Sequence, residues 1–127
     1  MKSYTEYSTG NRFFELDKHE VDATVREMRE FLRRQGYTSK VDTDELKLYV
    51  KCFQDAYNHD PGGWSPMYKT HLYVDQGCEY CALQMFFSYD GKSVRPFREA
   101  TQKEWERREA AKAEKRRREE LLAYLNY

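Results

Sequence analysis

Residues 67–97 read MYKTHLYVDQGCEYCALQMFFSYDGKSVRPF, and the period of this stretch decides the fold. Successive side chains of a strand point to opposite faces. On that template Met67, Lys69, His71 and Tyr73 share one face, and Tyr68, Thr70, Leu72 and Val74 the other. CALQMFFSY then groups Cys81, Leu83, Met85, Phe87 and Tyr89. Asp90-Gly91 is a two-residue hairpin signal. KSVRPF follows as a short last strand, with Pro96 at its end or on an edge. The expectation is a three-stranded antiparallel meander.

The segments before it have a different period. NRFFEL, residues 11–16, reads as a short strand or extended arm. Asp17 and Glu20 have capping-box spacing, and Val21, Val25, Met28, Phe31 and Leu32 recur as one helical face. Gly36 ends that pattern, so a helix is expected over about residues 18–35. Asp42 or Thr43 caps a second helix, whose stripe is Leu46, Tyr49, Val50, Phe53 and Tyr57. NHDPGGWSP, residues 58–66, closes it as a loop, which leaves a two-helix hairpin.

After the meander, Thr101 and Glu104 have the spacing of another capping box, and strong helix formers run on to Leu125. The middle of this run has no apolar stripe beyond Ala110, Ala111 and Ala113. The expected fold class is therefore α+β: a short N-terminal strand, a two-helix hairpin, a three-stranded meander and a long charged C-terminal helix. Residues 1–100 read as a compact domain. Residues 101–127 read as a helix that belongs to it or projects from it.

Bulk composition narrows the function classes. A chain of 127 residues fits one domain, and its 11 Tyr, 7 Phe and 2 Trp argue against a disordered chain. Lys and Arg number 22, as do Asp and Glu, so the basic footprint of a dedicated nucleic-acid domain is absent. No apolar run approaches the about 18 residues that read as a membrane span. The N-terminus has no apolar core of a signal peptide, and a cytoplasmic location is expected. Three cysteines, an odd number, do not suggest a disulfide framework.

Cys78 and Cys81 invite a metal reading, because a zinc knuckle wraps C-x₂-C around a tight turn. The remaining ligands would come from Cys52, His59 and His71. Cys52 and His59 lie about 10 Å apart along one helix, which argues against a shared ion. In a strand Cys78 and Cys81 face opposite ways, so the preferred reading has no cofactor, with zinc as the alternative. A thioredoxin-like pair would sit at a helix N-terminus, whereas here it runs into ALQMFF.

Catalytic signatures are missing. His19-Glu20 lacks the second histidine of H-E-x-x-H, and there is no G-x-S-x-G, Walker loop or dinucleotide fingerprint. Asp55 and His59 could form an acid–base couple, but Asp55 lies opposite the apolar stripe. The HDPGGW loop is the place where an enzyme reading would rest.

Two binding features remain. Lys112, Lys115, Arg116, Arg117 and Arg118 are dense enough for phosphate contacts, but six glutamates of the same helix interleave with them. Leu121, Leu122, Tyr124, Leu125 and Tyr127 form an apolar tip that could enter a partner's groove or pair with its own copy. The expected function is a small non-enzymatic binding protein with a protein partner. Compact regulators or inhibitors carried by phages and other mobile elements work in this way. The alternative is a zinc-stabilised nucleic-acid-binding module.

Overall fold

The computed structural model describes residues 1–37, 41–61 and 78–126, with the side chains of 78–81 outside the description. Two strands come first, β1 (Lys2–Thr5) and β2 (Arg12–Glu15). They pair antiparallel, with Lys2 opposite Glu15 and Tyr4 opposite Phe13. Gly10, at φ 71°, takes the left-handed conformation that turns the chain between them. The expectation of one lone strand at NRFFEL is thus corrected to a hairpin.

Helix α1 (Lys18–Arg34) starts on the predicted capping box: Glu20 N–H donates to Asp17, and Asp17 N–H donates to the Glu20 carboxylate. It ends before Gly36, which sits at φ 87°. Helix α2 (Thr43–His59) is capped by Asp42, which accepts from Glu45 N–H at 2.8 Å. Every member of its predicted stripe is buried: Leu46, Tyr49, Val50, Phe53 and Tyr57. With Val25, Met28, Phe31 and Leu32 of α1 they form most of one core.

Among the described residues the meander is not there: the one sheet is β1–β2. Cys78–Met85 is a helix, α3, which widens into a π-turn at Phe86–Asp90. The part of the meander placed on residues 67–77 lies outside the described residues. Burial shows why the alternating pattern misleads. Met85 and Tyr89, expected inside beside Leu83 and Phe87, are 52% and 79% exposed. Ala82 and Phe86, expected on the opposite face, are buried. Ala82/Phe86 and Leu83/Phe87 are i,i+4 pairs, which is helical spacing.

Gly91 N–H bonds to the Phe86 carbonyl at 2.8 Å and closes the wide turn. Asp90-Gly91 makes no hairpin, since Gly91 sits at φ −67° and a type I′ turn needs positive φ there. What glycine supplies is space. A Cβ on Gly91 would stand 2.6 Å from Val94 Cγ2 and 3.2 Å from Phe86 Cζ. Both neighbours are packed in the core, so Gly91→Ala should cost about 1–3 kcal/mol by overpacking. A urea midpoint equal to wild type would contradict this.

Helix α4 (Arg95–Leu125) takes in the second half of the predicted last strand, KSVRPF, and residues 92–94 form a turn before it. Pro96 falls in its first turn, where the missing N–H has no helical partner to lose. The turn before it is held by Glu27, whose carboxylate accepts from Ser93 N–H at 3.1 Å and Ser93 Oγ at 2.9 Å. Arg98 donates to the Phe87 carbonyl at 2.7 Å, satisfying an orphan group of the π-turn. Thr101 is no cap: it is buried inside α4, and its hydroxyl donates back to the Phe97 carbonyl. The fold is broadly α+β, mostly helical, with a single two-stranded sheet among the described residues.

Candidate functional site

The hairpin is fastened to the helices through side chains that take the place of a third strand. Asn58 of α2 accepts from Phe14 N–H and donates to the Phe14 carbonyl, each at 2.9 Å. Gln54 accepts from Leu16 N–H. From α4, Glu104 accepts from Arg12 N–H at 3.0 Å, and Arg108 donates to the Arg12 carbonyl at 2.9 Å. Arg108 also donates to the Asn58 carbonyl at 2.8 Å, and its guanidinium lies 5.1 Å over the Phe13 ring. An open strand edge invites pairing with other chains, and these four residues cover it.

Glu104 is the charged centre of this lock. Its carboxyl is pushed down to about 2, first by the hydrogen bond from Arg107 and then by the Arg12 amide and the charges of Arg107 and Arg108. Burial opposes them. The folded value lies below the unfolded one, so Glu104 stabilises the fold above the ordinary carboxylate range and loses that effect as pH falls through about 2. Since Arg107 is half exposed, the stabilisation is on the order of 2 kcal/mol. Wild type should therefore lose more stability than Glu104→Gln as pH falls from about 5 to 2. Parallel urea midpoints across that range would contradict the assignment.

A cleft of about 430 Å³ opens where α4 leaves the body. Thr9 and Asn11 of the hairpin turn and His59 of α2 form one wall, and Trp105, Arg107, Arg108, Ala111, Lys112 and Lys115 of α4 the other. Lys112 Nζ stands 5.8 Å from the Trp105 ring centroid and 3.5 Å from Glu109.

Beyond the cleft α4 projects past the other described elements. Every residue from Ala110 to Asn126 is exposed. About sixteen residues of helix extend about 24 Å at 1.5 Å each. The predicted basic residues Lys112, Lys115, Arg116, Arg117 and Arg118 all lie on this exposed length, with Arg118 paired to Glu114 at 2.8 Å. At its end Leu121 and Leu122 are 59% exposed, Leu125 67% and Tyr124 78%. Tyr127 lies outside the described residues.

The predicted metal ligands are not gathered by the described structure. Cys52 is buried in α2. His59 is exposed at the end of that helix, its ring edge-on to Phe13 at 5.4 Å. Cys78 and Cys81 lie in a helix, where the tight turn of a knuckle is absent. Their side chains and His71 are outside the described residues. Among the described residues no group of three His, Cys, Asp or Glu side chains converges on an ion-sized site. Asp55 and His59, the other couple suggested by spacing, are both exposed.

Sequence reasoning missed the strand-edge lock and the cleft. One signal was present: Gln54 and Asn58 are i,i+4 and flank the apolar stripe of α2, which marks them as polar groups facing a neighbour. Glu104 and Arg108 repeat that spacing on α4. Among the described residues no helix is long and apolar enough to cross a membrane. Comparison with family models, curated proteins and solved structures finds no match.

Proposed function

We propose that this is a non-enzymatic binding protein that inserts the end of α4 into a hydrophobic groove on a partner protein. The exposure of Leu121, Leu122, Tyr124 and Leu125 at the end of a projecting helix carries this reading. Leu121, Leu122 and Leu125 occupy i, i+1 and i+4, so they define one edge of the helix and can enter a groove together. The length of helix before them is charged on both signs and held by pairs such as Glu114–Arg118, which suits a stalk in water.

Area favours a groove over pairing with a second copy. Four exposed side chains fall short of the about 20 residues and about 800 Å² per side of a stable interface. Two such tips pressed together leave their outer sides in water. A groove wraps the tip and recruits the stalk behind it. Nucleic acid is a weaker reading, since six glutamates interleave with the basic residues of α4 and Glu114 holds Arg118 at 2.8 Å. A cytoplasmic setting is part of this reading, since three cysteines, an odd number, do not suggest a disulfide framework.

The test is site-specific photo-crosslinking in the native host. A benzophenone side chain at position 124 should trap one partner. The same group at position 89, equally exposed on the body, should not. Trapping the same partner equally from both positions, or none from position 124, would overturn the reading.

A further inference from the structure

The cleft at the root of α4 is a second site, distinct from the leucine tip, and we infer that it binds a phosphate ester of about nucleotide size. Four cations line it, Arg107, Arg108, Lys112 and Lys115. Two carboxylates, Glu104 and Glu109, partner them. An excess of two positive charges therefore faces a concave space.

Arg108 supplies fixed charge. Its side chain is only 10% exposed, and two backbone carbonyls hold its terminal nitrogens. Its Nε has no hydrogen-bond partner and lies 3.6 Å from Glu104 Oε1. The Glu104 carboxylate takes that side of the guanidinium, so Arg108 acts on a ligand in the cleft through its charge. Lys112 and Lys115 are i,i+3 on an exposed turn of α4, so both ammonium groups can close on one anion.

Size and chemistry select the ligand class. A volume of about 430 Å³ exceeds a bare phosphate and lies in the usual range of small-molecule sites. Trp105 borders the cations, and an indole face stacks on any base. Phosphate oxygens spread over several donors match two lysines and an arginine wall better than a single carboxylate does.

The test is calorimetric titration of the whole chain at low salt with inorganic pyrophosphate, ATP and a short single-stranded oligonucleotide. Pyrophosphate and ATP should each bind once per chain, and tighter ATP binding would report stacking on Trp105. Lys112→Ala with Lys115→Ala should weaken both by about tenfold or more, with an unchanged melting temperature. Arg117→Ala removes a charge half a turn around the helix from Arg108 and should change binding less than about twofold. Leu121→Ser, Leu122→Ser and Leu125→Ser together should leave it unchanged, which separates this site from the partner groove. The inference is overturned if pyrophosphate does not bind, or if Arg117→Ala weakens binding as much as the double change. Binding of the oligonucleotide alone overturns it too, and would point to a diffuse basic helix.

Discussion

Replacing Leu121, Leu122 and Leu125 together with serine should weaken partner binding by two orders of magnitude or more. Fully burying one leucine is worth about 1.5–3 kcal/mol. Each of these three has 59–67% of its surface still in water, so each can gain a little over half of that on docking. The sum is roughly 3–5 kcal/mol, or about 150- to 5,000-fold in the dissociation constant. Serine adds a hydroxyl that an apolar groove cannot pair, which pushes in the same direction. Such effects are not additive, so the lower end is the one to expect. Titration of the crosslinked partner, once identified, against both proteins measures the ratio. A change below about fivefold would mean that the leucines are bystanders.

Phe53→Ala should be the most damaging single change to the fold. Phe53 is fully buried, with Tyr57, Phe87 and Phe97 at ring-centroid distances of 4.5, 4.7 and 5.2 Å. These three rings belong to α2, the π-turn and α4, so one side chain ties α2 to two segments more than thirty residues further along the chain. Alanine would leave a cavity among aromatic walls that cannot close together. The cost should be about 3–5 kcal/mol, against total stabilities of about 5–15 kcal/mol for domains of this kind. Urea unfolding should show the loss as a lower midpoint. A loss below about 1 kcal/mol would mean that the ring cluster is not the centre of the core.

The two helices of the hairpin were legible because cap and stripe agree. Asp17 with Glu20, and Asp42 with Glu45, start them where the apolar period starts. The stretch around residues 81–89 was not, and the reason is arithmetic. Leu83 and Phe87 share a face both in a strand, where four is an even step, and in a helix, where four is about one turn. The two periods differ in whether Ala82 and Phe86 or Met85 and Tyr89 join that buried face, and an alanine is too small to signal burial. The Asp90-Gly91 pair looks the same whether glycine supplies positive φ or merely room, and here it supplies room. β1 was missed because KSYT is short and exposed throughout, so it carries no alternation. The apolar tip was visible as a list of residues. The cleft was not, because it joins Thr9 and Asn11 to residues about a hundred positions away.

The central claim is that the end of α4 is a surface for a partner and not part of the core. The melting temperature of the Leu121→Ser, Leu122→Ser, Leu125→Ser protein tests it most directly. Exposed side chains that touch no other element contribute little to the fold, so the melting temperature should stay within about 2 °C of wild type while partner binding fails. A fall of about 10 °C, with binding per folded molecule unchanged, would show that the tip packs on the body and that the helix is ordinary core structure.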